Sequence, residues 1–166
     1  MISLEHFNQL SGEDAEALLL PCVALSDWVG RVARGRPYQH ITDVLDAGEQ
    51  ASRDWQPEDL MLALSTHPRI GEKAAGDTQE AKLSRQEQAA VNPQDAMLAR
   101  ALHEGNARYE ARFGYVFLVR AKGRSAEEIV DIVERRLQHT PEQETQEALA
   151  QLREITLLRL KGIFNP

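Results

Sequence analysis

The chain holds a single cysteine, Cys22, among 166 residues. No internal disulfide can staple the fold, and a reducing compartment is expected. The neighbours Pro21, Val23, Ala24 and Leu25 are apolar, which favours a buried, inert thiol over a nucleophile. No apolar stretch approaches the ~18 residues needed to span a bilayer, and the first residues lack the basic start and apolar centre of a secretory signal. The terminal Phe164-Asn165-Pro166 is not the Ser-Lys-Leu address of peroxisomes. A cytoplasmic protein with no membrane partner is the expectation. Basic excess is also missing. Lys and Arg number 19 against 26 Asp and Glu, a formal charge of -7, so nucleic acid is not an expected partner.

Several catalytic signatures are absent too. The histidines His6, His40, His67, His103 and His139 show no HExxH spacing, and the lone cysteine offers no CxxC, so no metal site is expected. The chain lacks GxSxG, a P-loop and GxGxxG, which removes the commonest hydrolase and nucleotide readings.

What is present is helical periodicity. Hydrophobic residues make up 42% of the chain, ordinary for a globular protein, and the length suits one domain over residues 1–166. Thr42 can cap a segment that turns Val44, Leu45, Ala47, Ala51 and Trp55 towards a core. Pro57 sits where a first helical turn tolerates proline and opens a short helix running up to His67. Residues 71–83 are small and polar, with Gly76-Asp77 as a turn signal, and read as a loop. Helix resumes near Ser84, and again from Pro93 to Phe113 with Met97, Leu98, Ala101, Leu102 and Tyr109 on its apolar side. Gly114 interrupts, and Tyr115-Val116-Phe117-Leu118-Val119 is the one strand-like run, within an extended segment of about 115–121. With no partner strand in view, an extended segment packed between helices is expected, because an isolated strand leaves its backbone groups unsatisfied. Lys122-Gly123-Arg124 makes a turn. Ser125 with Glu128 forms a capping box ahead of Ile129, Val130, Ile132, Val133 and Leu137, and Thr140, Pro141 and Gln143 open a last helix reaching about Gly162. The expected fold is all-α, a compact multi-helix domain with one short extended segment.

Three places can carry chemistry. In His67-Pro68-Arg69-Ile70-Gly71 the proline disfavours helical backbone at the residue before it, so His67 ends a helix on a rigid corner. A fixed imidazole there either closes the helix as a satisfied side chain or gives and takes a proton near neutral pH. The second place is Ser84-Arg85-Gln86-Glu87-Gln88, where positions 84, 87 and 88 share a helical face. Ser84-x-x-Glu87 is also a capping box, and a helix amino terminus offers N–H groups to an anion, so capping and binding do not exclude each other. The third is Arg159, close to the centre of a stripe formed by Leu149, Leu152, Ile155, Thr156, Leu160 and Ile163. A guanidinium on a buried face needs an anion, either an internal carboxylate or that of a ligand. A histidine, a carboxylate and an arginine suit acid–base work on a small anion without naming it.

Order and spacing add a resemblance. The run comprises Arg36-Pro37-Tyr38, His67-Pro68-Arg69-Ile70-Gly71 and Ser84-x-x-Glu87-Gln88. It continues through Tyr109-x-x-Arg112-Phe113-Gly114-Tyr115-x-Phe117-x-Val119-x-Ala121-x-Gly123 and ends on Leu158-Arg159-Leu160. Over most of its length the chain resembles the 2-oxo-4-hydroxy-4-carboxy-5-ureidoimidazoline (OHCU) decarboxylase family, whose members carry out the last step from urate to (S)-allantoin. The resemblance implies an all-helical homodimer and a decarboxylase working without metal or organic cofactor on a small ureidoimidazoline. It implies His67 as catalytic acid/base with Glu87 as its partner. Pro68, the run Ser84, Arg85, Gln86, Glu87 and Gln88, and the backbone of Phe117, Leu118, Val119, Arg120 and Ala121 would line the substrate site, with Arg159 facing the substrate carboxylate. The unpaired extended segment would thereby offer N–H and C=O groups to a ureide. Before its tryptophan the family carries a Cys/Ser/Arg-rich run. Here it reads Cys22-Val23-Ala24-Leu25-Ser26-Asp27-Trp28, and nothing is carried over from it. The alternatives are a non-catalytic helical module that binds ureides or acts as an adaptor, and a hydrolase of another ureide that releases ammonia instead of CO2.

Overall fold

The computed structural model describes residues 1–71, 78–89, 91 and 95–164. Among these residues the regular structure is helical throughout, with no strand. Contacts divide the chain into two compact units, residues 1–63 with 153–166, and residues 64–152.

The first unit contains α1 (Leu4–Gln9), α2 (Gly12–Leu19), a 3₁₀ turn (Leu20–Cys22), α3 (Ser26–Arg34), α4 (Ile41–Ser52), most of α5 (Pro57–Leu64) and the last part of α9 (Pro141–Phe164). Ser3 and Ser11 cap the first two helices by accepting N–H bonds from His6 and Asp14. In α4 the cap differs from the Thr42 expected. The helix begins at Ile41, and the His40 N–H donates to Asp43 Oδ2 at 3.1 Å, so the reciprocal bond of the third helical residue fixes the cap at His40, two residues earlier. The core holds Phe7, Leu19, Trp28, Val32, Val44 and Leu160, none more than 0% exposed. Each such side chain contributes about 1.5–3 kcal/mol of transfer free energy. The Trp28 indole N–H satisfies itself on the Gly48 carbonyl at 2.9 Å. The Arg36 guanidinium spans from α3 to α1, donating to the carbonyls of Ala33, Phe7 and Leu10 at 2.7–2.8 Å. Tyr38 joins the same tie through its N–H to Asn8 and its hydroxyl to the Val32 carbonyl. The Arg36-Pro37-Tyr38 motif thus works as a fastening of the first unit. Cys22 is buried, as its neighbours predicted.

The second unit contains α6 (Gln79–Glu87), α7 (Ala96–Phe113), the extended run, α8 (Ala126–Arg136) and the first part of α9. Residues 79–83, expected in a loop, are helical. Thr78 starts α6 by accepting the Ala81 N–H at 3.1 Å, so Ser84 sits inside the helix and does not cap it. Gly76-Asp77 and Pro93 lie outside the described residues. Asp95 caps α7, whose buried stripe runs through Leu102, Gly105, Asn106 and Tyr109. Met97 is 78% exposed, contrary to its expected place on the apolar side, because it lies roughly 140° around the helix from Leu102. At Gly105 a Cβ would meet Val133 Cγ1 at 2.8 Å, so the absent side chain is what lets α8 lie against α7. The capping boxes at Ser125–Glu128 and Thr140–Gln143 form as expected.

An ion pair lies inside this unit. Arg136 and Glu144 are both 0% exposed, with Arg136 Nε 3.0 and 3.1 Å from the two carboxylate oxygens. The Tyr109 hydroxyl donates to Glu144 Oε2, and His139 Nδ1 lies 3.2 Å from Oε1. Arg136 Nη1 donates 2.7 Å to the Leu118 carbonyl, and its guanidinium covers the Phe117 ring at 4.6 Å. Burial first, and the bond to Glu144 second, push the Tyr109 hydroxyl well above the ordinary tyrosine range, while Arg136 pulls the other way. A folded pKa above the unfolded value of about 10 leaves stability intact below that pH. The stability declines as pH rises past it, because the unfolded chain then releases a proton that the folded one keeps. The urea midpoint is expected to fall between pH 9 and 11, and to fall less steeply in Tyr109→Phe; equal slopes would remove Tyr109 as the cause.

Candidate active site

Helix α5 gives out at Leu64, and His67 closes one more turn by donating its N–H to the Leu64 carbonyl at 3.2 Å. Pro68 then prevents helical backbone from continuing through His67. The half-buried imidazole stands on a corner whose following residues are fastened at three points. Arg69 pairs bidentately with Glu110 of α7, Nε to Oε2 and Nη2 to Oε1, both at 2.9 Å. The Ile70 carbonyl accepts from Asn106 Nδ2 at 2.9 Å, with Ile70 itself 6% exposed. The Gly71 N–H donates to Gln88 Oε1 at 2.9 Å. Gly71 has φ +90°, and a Cβ there would also meet Leu102 Cδ2 at 2.7 Å, so glycine is required twice over. The His-Pro corner is therefore held by α7 and by the end of α6.

A cleft of about 240 Å³ opens between this corner and α6. Ser65, Thr66, His67 and Pro68 form one side; Thr78, Glu80, Ala81 and Ser84 form the other. The structure thus brings together three of the expected residues, His67, Pro68 and Ser84. Glu87 is half-buried and lies outside that lining, one turn beyond Ser84 on the same face of α6. Arg85 is half-buried, and Gln86 is exposed, roughly 200° around the helix from Ser84. The Ser84–Gln88 run is consequently not one contiguous patch, and its end of α6 is the carboxyl end. The free N–H groups of an amino terminus, expected at Ser84, belong instead to the turn after Thr78. Gln88 spends its Oε1 on Gly71.

The extended segment also differs in part. Phe117, Leu118, Val119 and Ala121 are buried and Arg120 is half-buried. The Leu118 carbonyl accepts from Arg136, and the Arg120 N–H donates to Gln151 Oε1 at 2.8 Å. Side chains of α8 and α9 thus bond two backbone groups of this segment, and its expected role towards a ureide rests on the resemblance. Arg159 lies in the first unit, 5% exposed, donating from Nη1 to the Pro21 carbonyl at 2.9 Å. Its role towards a substrate carboxylate rests on the resemblance.

Sequence reasoning did not single out Thr66 and Glu80. The signal for Glu80 was its spacing: residues 80, 84 and 87 stand at i, i+4 and i+7, one face of a helix. Among the described residues no group of three His, Cys, Asp or Glu side chains is placed to hold a metal ion.

An imidazole on a fastened corner, across a small polar cleft from a carboxylate and two hydroxyls, marks the candidate site of a protein that is all-helical among its described residues. The chain belongs to the OHCU decarboxylase family, whose profile matches residues 8–161. It is 28% identical over 169 residues to a 2-oxo-4-hydroxy-4-carboxy-5-ureidoimidazoline decarboxylase of Haloferax volcanii, covering 99% of this chain and 97% of that one. It is 30% identical over 172 residues to the protein of that name from Amia calva, covering 99% and 91%. A crystal structure of OHCU decarboxylase in the presence of (S)-allantoin has the same fold, with a TM-score of 0.76 at 21% identity, over 95% of this chain and all of that one.

Proposed function

We propose that the chain decarboxylates 2-oxo-4-hydroxy-4-carboxy-5-ureidoimidazoline to (S)-allantoin, the last step of urate degradation, as a cytoplasmic homodimer. The observation that carries this reading is the family match over residues 8–161 together with His67 clamped at the edge of a small cleft. Breaking the bond to the carboxylate releases CO2 and leaves an electron pair that delocalises into the unsaturation of the ring. One proton must then reach one face of the ring to give a single enantiomer. The His67 imidazole supplies it, and Glu87 is its partner carboxylate against the substrate. Pro68 matters because a donor that swings delivers to both faces, whereas one held within hydrogen-bond reach on one side does not.

The test uses fresh substrate, made from urate with the two preceding enzymes, which decays slowly on its own to racemic allantoin. Circular dichroism of the product is expected to show the S enantiomer appearing faster than the spontaneous decay. Purified protein that neither speeds the decay nor biases its hand overturns the reading. Ammonia released in place of CO2 would point to a ureide hydrolase.

A further inference from the structure

We infer that Glu80 binds the ligand in this cleft, accepting N–H hydrogen bonds from a ureide arm, and that Thr66 is its positioning residue; the inference rests on the decarboxylase reading for its ligand class. Glu80 and His67 line the same cavity, from α6 and from the corner after α5. Thr66 Oγ1 donates to Glu80 Oε1 at 3.3 Å, which steers the carboxylate from the side of the cleft that carries the imidazole. The register of α6 extends the pattern. Glu80, Ser84 and Glu87 make a row of carboxylate, hydroxyl and carboxylate along one face, rich in acceptors.

The chemistry of the row selects the end of the ligand that faces it. A ureide arm presents several N–H donors around one carbonyl, so an acceptor row matches it, and a carboxylate takes two parallel N–H groups as it does from guanidinium. A carboxylate on the same ligand meets like charge there and is turned away from α6. The cavity is below the about 300–1,000 Å³ of drug-sized sites, which suits a single small ring with one arm. A site built to hydrogen-bond a group discriminates strongly against analogues that lack it.

The probes are (S)-allantoin, which carries the ureide arm, and hydantoin, the ring without it, titrated calorimetrically into the full chain. Glu80→Gln keeps the side-chain size and is expected to weaken allantoin binding about tenfold, the low end for a bond to a charged group. Thr66→Val is expected to weaken it about threefold. The double variant is expected to be no weaker than Glu80→Gln alone, as required of a residue that acts through another. Hydantoin affinity is expected to stay the same in all four proteins, which also shows that the cleft remains folded. With the decarboxylase substrate, the loss from Glu80→Gln is expected to fall on KM. An unchanged allantoin affinity in Glu80→Gln, an equal loss for hydantoin, or a loss confined to kcat overturns the inference. Additive effects of the two substitutions overturn the role of Thr66. Because allantoin binding needs no turnover, a chain that binds it through Glu80 yet fails to decarboxylate would refute the proposed function and leave this inference standing.

Discussion

His67→Ala is expected to lower kcat/KM by about 10²- to 10⁴-fold, the usual contribution of a positioned general acid or base, while helical content and melting temperature stay close to those of the parent. The two halves of this expectation have separate causes. The imidazole is half-buried at the edge of a cleft, so truncating it removes little apolar packing. The corner itself is held by the backbone and side-chain bonds of residues 69–71, to Glu110, Asn106 and Gln88, all of which survive the substitution. What is lost, on the proposed mechanism, is the proton donor. Residual turnover should lose its handedness as the spontaneous route takes over, so the S excess in the product is the more discriminating measurement. His67→Gln separates the rival reading of a ureide-binding module. That reading expects the amide to be tolerated; the decarboxylase reading expects a loss as large as for alanine, because an amide cannot exchange a proton near neutral pH. Undiminished turnover in His67→Ala would remove the histidine from the mechanism.

The corner was legible in the sequence because proline acts locally, disfavouring helical backbone at His67, just past the end of α5 at Leu64. The capping boxes at Ser125 and Thr140 were legible for the same reason, each followed directly by the periodic run it starts. Ser84-x-x-Glu87 has the same spacing, yet it lies in the last turns of α6. Serine and glutamate at i and i+3 form a box only where the preceding residue leaves the helix, and Thr78 had already begun this one. Taking Ser84 as the cap displaces the amino terminus of α6 by six residues from Thr78, and with it the face that meets His67. Counted from Thr78, the same sequence puts Glu80, Ser84 and Glu87 in one row.

Arg159 was found as an arginine in an apolar stripe, but its bond to the Pro21 carbonyl joins residues 138 apart, which periodicity cannot foresee. The same signal was present at Arg136, which follows Ile129 and Val133 at i, i+4 and i+7. It was present at Glu144 too, ahead of Ala148, Leu149 and Leu152. Each lies on the buried face of its helix. One buried charge on a stripe is ambiguous; two of opposite sign on successive helices predict each other. That pairing also explains the extended segment. Its backbone has no partner strand, and Arg136 and Gln151 bond two of its groups.

Glu144→Ala is expected to cost about 3–5 kcal/mol, the penalty for stranding one member of a buried ion pair. That is a large share of the about 5–15 kcal/mol that stabilises a typical domain. At about 2–4 °C per kcal/mol for a chain of this size, melting should fall by roughly 6–20 °C. The cause is the charge left behind: Arg136 cannot deprotonate and is 0% exposed, and its remaining polar contacts among the described residues, the Leu118 carbonyl at 2.7 Å, the Tyr109 hydroxyl at 3.5 Å and the partly exposed Glu147 carboxylate at 3.4 Å, replace the buried carboxylate incompletely. Removing both charges should cost less than removing one. In Arg136→Met/Glu144→Leu no charge remains to be buried, and replacement by apolar residues of similar size is often neutral or better. A double variant as unstable as the single one would show that stability resides in the pair itself and not in the avoidance of a stranded charge. The double variant still differs from the parent in one respect that thermal melting does not register. Without Arg136 the Leu118 carbonyl loses its donor, so the segment 117–121 has one anchor fewer, at Gln151. Amide exchange at residues 117–121 should therefore quicken in the double variant even where its melting temperature is restored, and it separates the two duties of this arginine: neutralising Glu144, and standing in for the strand that the extended segment lacks.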